Sequence, residues 1–478
     1  MNTGLGKIIV NCASILTGNF LNKLISIAVL ACITGFYSPS EFGRYSFVIS
    51  YIAFFGIFTD LGINTLLTKD ISGKSVEARE GFGHAIAIRF LYTVATFFAV
   101  IASLWFLGYG YEILYLAAAA SLSLFFSFRG LFFRTAFDIP FQVNLKMGYP
   151  AVVNFLNEVL TLGVIVLLVY KKATLLWLIL AINIVNIPWF VVMAYVSIRQ
   201  IRPSFSFDTT TWRRIIRDSL PLGLASLLEG VFILIPVFLL SRLATDEAIG
   251  FYSLSFRLVA SLWIVPIAVM VSLLPKMSRD AVFSENGVRD GFVRGLKLIL
   301  LTGVPMALIT DYYAEAIIGL FTDNSYADSA QALRIMGWGT FAYFINTVFY
   351  YTFTAAGKQR FNMAVWSVNA LVCVGGCILL IPLFGYMGAA YSFTAALGAG
   401  LLCNVYFAYK GLGINVVPVV TKFALSGAIS AVIFFLIPAL SGMSAPLGVG
   451  FYLSALFFTK AVSVREWGDW VNHGDTRK

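Results

Sequence analysis

Charge is scarce in this sequence, and acidic charge scarcer still. Asp, Glu, Lys and Arg make up 12% of the 478 residues, with 23 acidic against 33 basic, where an ordinary soluble domain carries about a quarter. A chain that is also 59% hydrophobic cannot present a normal water-facing surface. Histidine is almost missing, since His84 and His473 stand alone, which speaks against a histidine metal centre or proton relay. The five cysteines, Cys12, Cys32, Cys373, Cys377 and Cys403, fall within apolar runs and read as small packing residues. Apart from the polar connector from Arg199 to Arg217, most connections are short, so there is no room for a soluble catalytic or nucleotide-binding domain.

What is present is apolar length. Runs of about 20 residues, each able to cross a hydrocarbon layer about 30 Å thick as a helix, recur throughout. They are continuous instead of alternating, which favours helices over a β-barrel. Fourteen spans are expected, near 10–33, 45–68, 84–107, 112–134, 147–170, 174–198, 217–240, 249–273, 293–313, 331–355, 361–383, 386–409, 418–438 and 443–462. The first is read as a span that stays, because no small-residue cleavage site follows it. The expected fold is an all-α integral membrane protein. Its parts are two pseudo-symmetric six-helix lobes, residues 1–200 and 201–412, and a helix pair with a tail, 413–478.

Basic residues orient the spans. With a cytoplasmic N-terminus, 26 of the 33 Lys and Arg fall on inner loops and inner helix ends. The other seven are Lys23, Arg44, Lys171, Lys172, Arg242, Arg257 and Arg334. Both termini are then cytoplasmic in a cell membrane. The net charge of +10 is accounted for by this bias and by anionic inner-leaflet lipid, with no nucleic-acid partner. Gly73-Lys74-Ser75 matches the end of a phosphate-binding loop, but Thr68 holds the place of its first glycine and no strand precedes it. ATP hydrolysis is set aside.

The layout of the first lobe returns in the second. An apolar run, an acidic turn at Ser38-Pro39-Ser40-Glu41 and then Gly43-Arg44-Tyr45-Ser46 are echoed 207 residues later. There the turn is Ala244-Thr245-Asp246-Glu247 and the motif Gly250-Phe251-Tyr252-Ser253. Two copies of one bundle, with a site where the repeats meet, is the arrangement of a transporter.

Polar residues inside the spans carry the candidate chemistry. Asn19, Asn22, Lys23 and Ser26 are spaced i, i+3, i+4, i+7, which puts them on one stripe of the first helix. Asn154, Asn157, Glu158 and Thr161 repeat that spacing in the fifth. Asp60 and Asn64 lie in the second span, Glu229 in the seventh, Ser253, Arg257 and Ser261 in the eighth, and Tyr343, Asn346, Thr347 and Tyr350 in the tenth. Such stripes either glue helices together or line a hydrophilic cavity. Lys23 and Arg257 favour the cavity, because a cation at mid-membrane costs about 2.5–3.5 kcal/mol on insertion scales. They either contact substrate or pair with Asp60, Glu158 or Glu229, and those carboxylates are equally candidates for H⁺ or Na⁺ coupling. No cofactor or bound metal is expected.

The order of Ser38-Pro39-Ser40-Glu41-Phe42-Gly43-Arg44-Tyr45, of Leu243 to Tyr252, and of Ile381-Pro382-Leu383-Phe384-Gly385-Tyr386-Met387-Gly388 after their spans resembles polysaccharide exporters of the Wzx type. These belong to the multidrug/oligosaccharidyl-lipid/polysaccharide (MOP) superfamily. The resemblance implies two lobes that alternate access and carry an undecaprenyl-phosphate-linked oligosaccharide to the outer leaflet for cell-surface polysaccharide such as O-antigen. It implies that Lys23 and Arg257 meet the phosphate linkage, with Arg44 assisting at the outer mouth. Asn19, Asn22, Asn157, Tyr343, Asn346 and Tyr350 would face the glycan. It implies a monomer acting beside polymerase machinery, with the last two helices forming a lipid groove.

Two other classes compete. A cation-coupled multidrug exporter of the related MATE family would have a cavity built around carboxylates. A membrane-embedded glycosyltransferase or polymerase would show a sizeable outer loop, and the outer loops here are short.

Overall fold

In lipid a backbone N–H or C=O has no water to bond, so the chain satisfies both within helices. The computed structural model describes residues 2–414 apart from 72–74, 129, 131 and 284, and beyond 414 only 421, 450, 452 and 454. All regular structure among these is helical. The order is α1 (Asn2–Thr34), α2 (Pro39–Gly56), α3 (Ile63–Ile71), α4 (Ser75–Phe106), α5 (Tyr111–Ser121), α6 (Ser123–Phe126) and α7 (Ile139–Val143), then α8 (Gly148–Tyr170), α9 (Leu175–Gln200) and α10 (Thr209–Leu243). After these come α11 (Asp246–Ser261), α12 (Ile264–Phe283), α13 (Glu285–Tyr312), α14 (Ala314–Phe321), α15 (Ser329–Ala355), α16 (Gln359–Phe384) and α17 (Tyr386–Leu412).

Nine helical stretches among the described residues are long and apolar enough to cross a membrane, and the shorter helices Phe20–Thr34 and Tyr111–Phe126 are apolar as well. The protein is a multi-pass membrane protein. Twelve of the fourteen expected spans overlap described helices, whereas 418–438 and 443–462 lie almost wholly outside the described residues. Three of the twelve are not single rods. The span at 45–68 is α2 and α3 with a 3₁₀ turn and a break between them; that at 112–134 leaves the helix after Phe126; that at 249–273 divides between Ser261 and Ile264. Pro266 explains the last, since it sits in the first turn of α12, where a missing N–H is tolerated.

The residues form two compact units. One contains residues 1–254, 319–327 and 377–389, the other 255–318, 328–376 and 390–478. In the first, Phe82 of α4 and Phe137 pack edge to face with centroids 6.2 Å apart, among Ile63, Leu67, Phe133 and Ile215. The polar connector after α9 and the first turn of α10 lie against α4: Ser204 donates its N–H to the Arg79 carbonyl at 2.9 Å, and Trp212 Nε1 donates to His84 Nδ1 at 2.9 Å. A Cβ on Gly83 would stand 2.0 Å from the Ser204 carbonyl oxygen, so only glycine admits that approach. In the second unit, Met270 and Met277 of α12 fill the notches left by Gly295 and Gly291 of α13, with Phe292, Phe349 and Phe353 around them. Small residues opposite flexible thioethers let two helices close without a void.

Candidate functional site

The echoed Gly-x-Tyr-Ser motif is a helix crossing. Ser38 caps α2, its hydroxyl accepting from the Glu41 N–H at 3.3 Å while the Glu41 carboxylate accepts from the Ser38 N–H at 3.0 Å. This capping box sets where α2 starts. A Cβ on Gly43 would fall 1.8 Å from the Asp246 carbonyl oxygen, and one on Gly250 would fall 2.2 Å from that of Pro39. Each glycine therefore receives the first turn of the other helix, and the tyrosines and serines that follow, Tyr45, Ser46, Tyr252 and Ser253, are buried. Arg44 sits beside the crossing, ion-paired with Glu112 at the start of α5 and 3.6 Å from the Asp246 carboxylate. Its charge ties three helix starts together.

The breaks form a second constellation. After Gly56 the chain passes through a 3₁₀ turn to Asp60, then turns with positive φ at Leu61 (42°) and Gly62 (81°). Asp60 holds the turn by accepting the N–H groups of Gly62 and Asn64, both at 3.1 Å. Arg89 enters from α4 with no exposed surface. Its Nε lies 3.4 Å from Asp60 Oδ1 and donates to the Thr59 carbonyl at 3.2 Å, while Nη2 donates to the Phe132 carbonyl at 2.6 Å. One side chain thus satisfies carbonyls from both interrupted spans. Beyond Phe132, Arg134 forms a two-bond pair with Asp138 at 3.0 and 2.9 Å and lies over the Phe128 ring at 4.5 Å. Irregular backbone at membrane depth is tolerated where protein buries it in this way. Gly223 of α10 packs on the turn, a Cβ there meeting Leu61 backbone atoms at 2.7–2.8 Å.

A third group lies along α1, α8 and α9. Gly18 faces Ala151, where a Cβ would sit 3.0 Å from the alanine methyl, so α1 and α8 touch. Asn22 and Lys23 are half-buried on α1; the side chain of Asn19 lies outside the described set. Asn157 and Glu158 of α8 are 2% and 3% exposed, and Asn157 donates to Asn186 of α9 at 2.9 Å. Glu229 is exposed on α10 and makes no hydrogen bond or ion pair among the described residues.

In the other unit, Arg257 is half-buried on α11. Tyr343 stacks on Trp263 at 4.1 Å between centroids and 16° between planes. Asn346 is 8% exposed, donates to the Leu397 carbonyl at 3.0 Å and accepts from Asn404 at 3.0 Å. Tyr350 is exposed, and its carbonyl accepts from Asn362 at 3.1 Å.

The sequence-predicted residues therefore separate. Asn22, Lys23, Asn157 and Glu158 fall on two touching helices, Asp60 belongs to the Arg89 constellation, and Arg44 to the helix crossing. The Arg134–Asp138 pair has a local signal in its i, i+4 spacing, whereas Arg89 has none, its partners Asp60, Thr59 and Phe132 coming from distant segments. Trp263, the partner of Tyr343, went unread because nothing local marks a ring stacked across helices.

Comparison with known proteins agrees with this architecture. The sequence profile described as polysaccharide biosynthesis protein matches residues 8–280, and the MatE profile matches residues 221–379. A Shigella flexneri protein named "Putative O-antigen transporter" is 20% identical over 405 residues, covering 81% of this chain and 94% of the relative. Among solved structures, lipid II flippase MurJ in an inward closed conformation superposes with a TM-score of 0.75 at 14% identity, covering 94% of this chain and 98% of that one. An inward-facing multidrug resistance MATE family transporter of the MOP superfamily gives 0.62 at 13% identity, with 82% and 94% covered.

Proposed function

Since the chain belongs to the polysaccharide biosynthesis protein family, whose fold is that of MOP-superfamily transporters, we propose that it moves an isoprenoid-phosphate-linked oligosaccharide from the inner to the outer leaflet of the cytoplasmic membrane. The family match over residues 8–280 is the observation that carries this reading. The alignment with the Shigella protein, over 81% of this chain and 94% of the relative, supports it. The chemistry is compatible: a phosphate linkage needs cations and hydrogen-bond donors shielded from water, and the glycan needs amides and aromatic faces.

We assign phosphate contact to Lys23 in the first unit and, separately, to Arg257 in the second, and glycan contacts to Asn19, Asn22, Asn157, Tyr343, Asn346 and Tyr350. Asp60, Glu158 and Glu229 are the coupling candidates. Of these, Glu229 is the carboxylate with an exposed side chain and no partner among the described residues, which suits a group that exchanges a proton or Na⁺. Asp60 instead serves a structural turn and pairs with Arg89. Arg44, held by two carboxylates, acts on helix position.

A second reading rests on the MatE profile over 221–379 and on the MATE fold similarity: export of a cationic drug coupled to H⁺ or Na⁺. Proteoliposomes decide between them. Movement of a fluorescent isoprenoid-linked sugar across the bilayer supports the flippase, and efflux of a cationic dye without lipid movement supports the exporter.

A further inference from the structure

In the first unit an apolar cavity of about 470 Å³ opens between α2, α4 and α10, within the size range of small-molecule sites. Its walls are mostly rings: Phe47, Tyr51, Phe54 and Phe55 from α2, Phe106 from α4 and Phe238 from α10. Phe106, the last residue of α4, is 79% exposed, so this wall of the cavity reaches the protein surface. It lies toward the α4–α5 turn, the end that the sorting of basic residues places outside.

A cation stands at its rim. Leu107 lines the cavity, and its carbonyl accepts from Arg242 Nη2 at 2.6 Å. The Arg242 guanidinium lies over the Tyr109 ring at 3.9 Å, and Tyr109 in turn stacks on Phe47, centroids 5.1 Å apart. The neighbouring carboxylates, Glu112 and Asp246, are engaged by Arg44. Arg242 itself is exposed and forms no ion pair among the described residues. A guanidinium has five N–H donors, and with one bonded to the Leu107 carbonyl the others remain for a phosphate.

We propose that this cavity holds a segment of the hydrocarbon chain of a polyisoprenyl phosphate, with its phosphate on Arg242. The choice of chain follows from the solvent. Inside a bilayer an apolar cavity gains nothing from the hydrophobic effect, because lipid tails already solvate its walls. Selection therefore rests on shape and charge. The double bonds of a polyisoprenyl chain cannot rotate, so fewer torsions per carbon are fixed when it is held than in a saturated acyl chain. Its flat sp² centres match ring faces that a flexible tail contacts no better than bulk lipid does. The occupant deepens the flippase reading, as the lipid carrier on the side where the glycan is delivered, and rests on that reading for its orientation.

The test is labelling of the purified full chain in nanodiscs with a photoactivatable polyisoprenyl monophosphate bearing no sugar. The label is expected on α2 and α10 peptides around the cavity, displaced by unlabelled polyisoprenyl phosphate and not by phosphatidylglycerol. Ser50→Phe, which fills the cavity from α2, and Leu234→Trp, which fills it from α10, each lower labelling about tenfold. Arg242→Gln abolishes the preference for polyisoprenyl phosphate over the uncharged polyisoprenol. Equal displacement by phosphatidylglycerol, or labelling that neither filled variant reduces, would overturn the proposal. The competition on the native chain decides the matter even where a filled variant fails to fold. Labelling without any sugar-lipid translocation would refute the flippase reading and leave this site standing, while translocation without labelling here would do the reverse.

Discussion

Arg89 reaches from α4 to Asp60 with Nε 3.4 Å from Oδ1, both side chains buried, and bonds one carbonyl in each of two interrupted spans, Thr59 and Phe132. Removing one partner of a buried pair leaves the other uncompensated. Arg89→Ala is expected to lower stability by about 3–5 kcal/mol. The double variant Arg89→Met with Asp60→Asn should recover at least about 1 kcal/mol relative to the sum of the single changes. Denaturant unfolding in detergent measures this, and strict additivity would show that the two side chains do not act as a pair.

The glycine crossing makes a separate prediction. Gly43→Ala and Gly250→Ala force a methyl into a facing carbonyl and should each destabilise by about 1–3 kcal/mol. At Gly319 a Cβ meets nothing within 4 Å, so Gly319→Ala should stay within about 0.5 kcal/mol of native. Thermal unfolding of the three variants side by side checks the ranking.

Asp208 gives a pH signature. It caps α10 by accepting from the Thr210 and Thr211 amides at 3.0 and 3.2 Å. The Thr211 and Thr210 hydroxyls, which also donate to it, hold its carboxyl well below the ordinary value of 3.8. A depressed folded value means the cap's contribution is complete above that ordinary value and is lost as pH falls below it toward the folded one. Amide protection at Thr210 and Thr211 should therefore decline on acidification in the native chain. In Asp208→Ala it should be low at neutral pH and insensitive to acid. Native protection that does not change with acid would contradict the assignment.

Much of this architecture is readable from residues. Continuous apolar runs specify membrane helices, and Gly43 and Gly250 with their acidic turns mark the helix crossing, because a backbone-to-backbone approach admits only glycine. The interruptions were harder to read. Residues 45–68 and 112–134 stay apolar through their breaks, so hydropathy alone reads each as one rod. Asp60-Leu61-Gly62 was the local sign of an interruption, a carboxylate able to bond the N–H groups two and four residues on. The role of Arg89 is not legible locally, since its partners come from distant segments. The polar stripe of α1 and α8 was legible for the opposite reason: its i, i+3, i+4, i+7 spacing is local.

The flippase assignment is tested most directly by translocation in proteoliposomes of a fluorescent isoprenoid-linked sugar, comparing the native chain with Lys23→Ala, Arg257→Ala and the double variant. Lost charge-assisted hydrogen bonds to a phosphate should slow transport by about tenfold or more for each cation, while leaving the chain folded and inserted. The result that contradicts the account is a double variant that moves the lipid at the native rate, or a native chain that moves none.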